Sequence, residues 1–292
     1  MTEQPASTSA SVLRGTKTLL IGEPGSGKTT SLATFVEAGL KHNIDPHLCV
    51  LVTDPEGEES LIQAFAERNL PRERLHLRYI PPAEDNFSAL IASAKMVGKL
   101  SYKDLTEMKA VDKAKYTRYI EMLEAMADFV DQDTGESLGP VDKFPGNWMF
   151  AMDSLTGVNY LAMKLTIAGK PVAHQGEWGV AMNLEENLIL TLVSTLQCFV
   201  CLTGHIDKEM DEVIGRPQYM AGLLGRKLAP KIPRLFSDSL LAFRENGKFR
   251  WTADKRDYSN LKARNTPLTG DFAPSFEPMV VNRIQSDDTG SA

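Results

Sequence analysis

The chain has 292 residues, 42% of them hydrophobic and 24% charged, with a formal net charge of −6. That length suits one large globular domain with an insertion, or two small ones, and the acidic balance excludes a protein coated in positive charge. No apolar stretch approaches the ~20 residues a membrane helix needs, and residues 1–10 lack the basic-then-apolar order of a signal peptide, so the expectation is a soluble, cytoplasmic protein with no membrane partner.

In chain order, the Ser- and Thr-rich residues 1–12 read as a flexible tail, and residues 13–282 as the folded body. Thr18-Leu19-Leu20-Ile21 is an apolar strand. Gly22-Glu23-Pro24-Gly25-Ser26-Gly27-Lys28-Thr29 follows it directly and meets every fixed position of the phosphate-loop pattern GxxxxGK plus Ser or Thr. Gly25 and Gly27 let the backbone wrap a polyphosphate with its N–H groups pointing inward, and a helix starting near Lys28 adds the partial positive charge of its N-terminus. In such a loop the lysine, here Lys28, reaches the β- and γ-phosphates, and the hydroxyl of Thr29 holds Mg²⁺. Thr30 completes the nucleotide-binding stretch, and the expected cofactors are ATP and Mg²⁺.

Leu32, Phe35, Val36 and Leu40 fall at helical spacing, closed by Gly39 to Pro46. Leu48 to Val52 is a continuous apolar run, the pattern of a parallel strand covered on both faces. Leu61 and Phe65 mark a short helix, and Leu75 to Ile80 a third strand. This alternation predicts an α/β fold with a mainly parallel central sheet flanked by helices. The pattern then breaks. Residues 81–145 contain no clear strand, only mixed-charge helical sequence such as Lys109 to Phe129, and read as an inserted helical subdomain or lid. Within it, Asp131 to Gly135 reads as a polar turn rather than a calcium loop. Order returns with Trp148 to Ser154, a buried strand ending in an acid. A long helix over Glu177 to Gln197 places Val180, Leu184, Leu188, Leu192 and Leu196 on one face, and a strand over Cys198 to Thr203 follows. Cys49, Cys198 and Cys201 read as reduced core thiols, because positions i and i+3 of a strand face opposite ways and no second ligand pair accompanies them. Ser239 to Arg244, the turn Asn246-Gly247 and Phe249 to Thr252 predict a C-terminal β-hairpin. Residues 283–292 read as a second flexible tail.

Triphosphate hydrolysis needs an acid beside the metal and a base to orient water. Asp153, at the carboxyl end of a buried strand, is the candidate metal-linked acid, since ligands of open α/β sheets collect at that edge. Glu56, just past the second strand, is the leading candidate base, with Asp54, Glu58 and Glu59 as competitors. From Arg216 to Arg264 there are twelve basic and four acidic residues, so this stretch carries +8 and the rest of the chain −14. Such segregation points to a face that meets phosphates, of nucleic acid or of a neighbouring subunit's nucleotide.

Asp54-Pro55-Glu56 after the second strand, followed by an apolar strand ending Asp153-Ser154, resembles the RecA branch of the P-loop ATPases. The resemblance implies a RecA-like fold, with Glu56 activating water, Asp153 on the metal, and His205 of Leu202-Thr203-Gly204-His205 as a γ-phosphate sensor. Lys262-Ala263-Arg264 is similar to the Lys-x-Arg element that ring-forming members insert into a neighbour's site. An arginine fork there stabilises transition-state charge, so the resemblance implies a homo-oligomer with Lys262 and Arg264 acting in trans. With the segment Leu228 to Asp238 before the hairpin, the layout looks most like phage-encoded short-core RecA-like ATP-binding proteins of single-strand annealing and recombination. Their likeness implies an ATPase acting on single-stranded DNA in the host-cell cytoplasm. The DNA would be held by mobile loops matching Gly157 to Gly176, with Lys164 and Lys170, and Asp207 to Pro230, with Lys208, Arg216, Arg226 and Lys227. Tyr160 and Tyr219 are the aromatic residues available there for stacking bases. The 81–145 insertion is larger than a short core needs. Two other readings stay open: a nucleotide-switched assembly or regulatory ATPase without DNA binding, and a nucleotide kinase with the insertion as its lid.

Overall fold

The computed structural model of the chain describes residues 15–82, 86–109, 116–211, 216–225, 227–255, 257–258 and 260–289. The expected tail over residues 1–12 lies outside them, as does Arg226. The first half runs β1 (Lys17–Gly22), α1 (Lys28–Ser31), α2 (Ala33–Lys41), β2 (His47–Val52), α3 (Gly57–Glu67) and β3 (Leu75–Tyr79). The insertion supplies α4 (Phe87–Val97), α5 (Tyr102–Glu107) and α6 (Arg118–Ala127). Then come β4 (Trp148–Asp153), α7 (Leu155–Ile167), α8 (Gln175–Thr195), β5 (Phe199–Gly204), β6 (Ile206–Asp211) and β7 (Arg216–Ala221). The chain closes with β8 (Asp238–Glu245), β9 (Lys248–Thr252), β10 (Asp271–Phe272) and α9 (Glu277–Thr289).

The main sheet has the order β10-β9-β8-β1-β5-β4-β2-β3, parallel from β8 to β3, with β9 and β10 antiparallel at one margin. Side chains alternate across a strand, so each apolar run feeds two cores. Leu19, Ile21, Cys49, Leu51, Phe150, Met152, Val200 and Leu202 join residues of α6, α7 and α8 on one face. Leu20, Leu48, Val50, Val52, Ala151, Phe199 and Cys201 join Phe35, Val36, Phe65, Met279 and Val280 of α2, α3 and α9 on the other. Continuous apolar strands are what a sheet covered on both faces requires. Cys198 and Cys201 fall in different cores and all three cysteines are free, as the strand geometry implies. Burial pushes the three thiols above their ordinary range.

The hairpin turn forms as expected, with Asn246 and Gly247 at φ 49° and 77°. Two positive φ values at the central residues are the geometry an Asn-Gly pair accepts most cheaply. The insertion carries helices as far as Ala127, and a short antiparallel turn with Val130 bridged to Ser137 then docks on the sheet: Gln132 N donates to Leu77 O at 2.9 Å on the β3 edge. Asp131 forms the polar turn, its Oδ1 accepting from Asp133 N at 2.8 Å.

Three expectations change. The segment Gly157 to Gly176 is not a mobile loop, because residues 155–167 are the helix α7, with Leu155, Val158, Leu161 and Ala162 buried. Gly157 serves close packing there, since a Cβ would collide with the Thr53 side chain. Nor is 283–292 a tail over its described part. Helix α9 continues to Thr289, because Met279, Val280 and Ile284 pack on the α2 side of the sheet. In the long helix, Val180 is 52% exposed and leaves the buried stripe, while Glu185 takes an interior place. Among the described residues no helix is long and apolar enough to cross a membrane.

Candidate nucleotide site

The phosphate loop sits at the carboxyl edge of the sheet, between β1 and the near-continuous helix α1–α2. Gly25 and Gly27 adopt left-handed φ of 71° and 83°, which turns the backbone in the way a non-glycine residue resists. Lys28 is buried, and its Nζ donates to Gly22 O at 2.9 Å and Glu23 O at 3.0 Å. Burial lowers its pKa, and the nearby carboxylates of Asp153 and Asp54 act against that. The neutral carbonyls therefore hold the ammonium in place at the loop mouth, where a polyphosphate would be the stronger partner.

Asp153 ends β4 directly beneath the loop and is fully buried. Its Oδ2 accepts from Thr29 Oγ1 at 2.7 Å, and its Oδ1 accepts from Thr203 Oγ1 on β5. Burial raises the carboxyl pKa, the two hydroxyls lower it, Asp54 raises it again and Lys28 lowers it. A hydroxyl and a carboxylate placed together offer the hard oxygen donors Mg²⁺ prefers, with its other positions left to phosphate oxygens and water. The donor set thus fits the expected metal. No cluster of three or more His, Cys, Asp or Glu occurs among the described residues that could hold a metal by itself.

The base candidates separate. Asp54 and Glu56 both line the cavity of about 400 Å³ over the loop. Asp54 Oδ1 accepts from Ser154 Oγ at 2.9 Å, and its Oδ2 lies 3.9 Å from His205 Nε2. Glu56 precedes α3 with φ 67° and its side chain is exposed to the cavity. Glu58 instead accepts a hydrogen bond from Gln132 of the insertion, and Glu59 is exposed and absent from the lining. His205, one residue past β5, reaches the same cavity, and its buried Nδ1 has no hydrogen-bond partner among the described residues.

Lys262 and Arg264 lie elsewhere. Lys262 pairs with Ser239 through the backbone, and its Nζ donates to Phe236 O at 2.7 Å and Arg234 O at 3.4 Å. The side chain therefore closes the turn that enters β8. Arg264 is exposed, and its backbone N donates to Asp238 Oδ1 at 3.0 Å. Asp238 is level with Thr18 and Ala242 with Gly22, so Arg264 starts four rungs, roughly 13 Å, from its own phosphate loop on the opposite edge. Along the basic stretch, Arg234, Lys262 and Arg264 gather at the start of β8, whereas Arg244, Lys248 and Arg250 sit at its far end and on its hairpin partner β9.

Three contributors were not legible beforehand. Thr203 became visible only when β5 paired beside β4. Ser154 was read as the end of a motif rather than as the partner of Asp54. Phe249 of the hairpin enters the cavity and leans on Gly27; its two-residue distance from Asn246-Gly247 was the available signal. Beyond His205, β6 and β7 form a separate antiparallel ribbon, with Tyr219 stacked on Tyr258 at 4.9 Å. Tyr160, on α7, instead lies under Lys164. The fold and site thus stand as a parallel α/β sheet with a phosphate loop at its carboxyl edge, and no protein-family model and no curated protein matches the chain.

Proposed function

We propose that the chain is a Mg²⁺-dependent ATPase of RecA type that works as an oligomer on single-stranded DNA. The observation that carries the nucleotide part is the meeting of Thr29 and Asp153 at 2.7 Å beside Lys28, which gathers metal donors and a phosphate cation from α1 and β4. In this reading Lys28 and the loop N–H groups hold the phosphates. Asp54 and Glu56 face them as the acids able to orient water, and His205 reports on the γ-phosphate.

The β6–β7 ribbon supports the macromolecular part, because it begins at Ile206, next to His205, and Gly222 N returns to His205 O at 2.8 Å. A shift at the nucleotide would reach the ribbon through one residue. Arg264, too far from its own loop to act in cis, would in this reading serve a neighbour's site rather than stand as a plain surface charge. ATPase rate with and without single-stranded DNA, alongside native mass in each nucleotide state, tests the reading. DNA-stimulated hydrolysis by an assembled form is expected. ATP-driven assembly with hydrolysis indifferent to DNA would favour a regulatory ATPase, and transfer of phosphate to a nucleoside acceptor a kinase.

A further inference from the structure

The two flanks of the phosphate loop differ in chemistry. On the β5-β4-β2 side stand His205, Asp153, Asp54 and Glu56, a polar arc suited to the reacting phosphate and its metal. On the other side stands β8 with its hairpin partner β9, which brings Phe249, the one aromatic residue lining the cavity among the described residues. If the terminal phosphate lies toward the acids, the nucleoside end of the ligand is directed toward β8 and β9.

Phe249 is held where such a group would arrive. Its ring lies so near Gly27 that a Cβ there would fall 2.8 Å from Cδ1 and 2.9 Å from Cγ. Opposite it in the ladder, Arg244 places its guanidinium 5.6 Å from the ring centre, a cation–π contact that steadies the ring over the loop. The ring nevertheless stays 40% exposed at the cavity mouth, leaving apolar surface for a planar partner. The turn Asn246-Gly247 sets this register: one residue more or fewer would send Phe249 to the other face of the hairpin.

We propose that Phe249 is the platform for the base of the bound nucleotide, with Arg244 positioning it. This rests on the nucleotide reading above and adds how the base is recognised: by packing on an aromatic ring, which every base can do, rather than by hydrogen-bond readout. The ligand class is a nucleoside triphosphate with broad base tolerance, purines favoured by their larger faces.

The test compares ATP with inorganic tripolyphosphate, which has the phosphates without the base. Wild type should bind ATP more tightly than tripolyphosphate, and Phe249→Ala should lower the ATP-to-tripolyphosphate affinity ratio about ten-fold or more. Phe249→Trp should restore the ratio, and its indole fluorescence should respond to ATP but not to tripolyphosphate. An unchanged ratio in Phe249→Ala, or equal loss of both ligands in a variant with wild-type melting temperature, would overturn the inference while leaving the phosphate site standing. Wild type that binds neither ligand would overturn the nucleotide reading and this inference with it.

Discussion

The two edges of the sheet use their polar groups for different ends. At the amino edge most of them pair with one another, although among the described residues the buried Ser239 Oγ and Arg74 Nε have no hydrogen-bond partner. Asp238 is buried at the start of β8 and accepts from Arg264 N, Asn265 N, Asn265 Nδ2 and Thr266 Oγ1, all within 3.1 Å. Lys17 donates to the carbonyls of Leu196 and Cys198. A chain of bonds runs from Arg74 to His47 at 2.7 Å, His47 to His76 at 2.9 Å and His76 to Asp131 at 2.8 Å. Arginine can only donate, so His47 Nε2 accepts, Nδ1–H donates to His76, and His76 donates to the carboxylate; both rings are satisfied while neutral. At the carboxyl edge, the buried Oγ of Ser26 and Nδ1 of His205 have no hydrogen-bond partner among the described residues, both lie at the loop cavity, and Lys28 rests on neutral carbonyls. Buried polar groups that are already paired hold a fold together, whereas unspent ones are open to a ligand.

Substitutions can break this contrast, the largest effect first. Lys28→Ala should reduce ATP turnover by about 10³-fold or more while hardly moving the melting temperature, since the lysine's partners here are loop carbonyls; turnover and calorimetry on one preparation check both halves. Arg264→Ala, the exposed exception at the amino edge, should cost a similar order in turnover with no loss of stability. Mixing it with Lys28→Ala should recover activity if the site is shared between subunits. Asp238→Ala should do the reverse of Lys28→Ala and lower stability by about 3 kcal/mol, by leaving several donors at the β8 entry unpaired. Urea unfolding with an unchanged m-value would read that loss cleanly.

Two effects are set by pH. Burial pushes the Glu185 carboxyl up to about 8, with the hydrogen bond from Leu224 N working against it. Its folded pKa lies above the ordinary 4.5, so the folded state holds the extra proton. Stability is full below about 4.5 and falls as pH rises through about 8. Glu185→Gln keeps the acceptor for Leu224 and should flatten that slope, leaving the variant the more stable at pH 9 by on the order of 1–3 kcal/mol. The smallest effect is at His47, whose pKa is lowered by burial, then by His76 and Arg74, with Asp45 and Glu73 opposing. Its folded pKa lies below 6.5, so its share of stability is complete above that value and is lost as pH falls through it toward the folded pKa. Melting temperatures of wild type and His47→Gln between pH 7.5 and 5.5 should converge at the acid end.

Much of the fold could be read from periodicity and turn chemistry. The runs at Leu48 to Val52 and Trp148 to Met152 are apolar at every step because both faces are covered, and Asn246-Gly247 names its own turn. The reading failed where one residue type serves two ends. Gly157 falls in a segment expected to be a mobile loop, yet it lets α7 approach Thr53; Ile284 falls in the expected C-terminal tail, yet it packs α9 on the second core. Lys262 carries the same ambiguity, since a charge that closes a turn and one that reaches a neighbour are written alike.

The sequence by itself determined the phosphate loop, the parallel α/β alternation and the acid at the end of β4, because each depends on neighbours within a few residues or on a period of two or 3.6. Only the tertiary structure decided that Thr203 and Thr29 share Asp153, that Asp54 turns to Ser154 and His205, and that Phe249 leans on Gly27 from more than two hundred positions away. Those meetings follow from the order in which strands pair, with β5 between β1 and β4 and β8 on the far side of β1. Strand order is chosen by burying all the faces at once, an energy shared by the whole chain and written in no single segment of it.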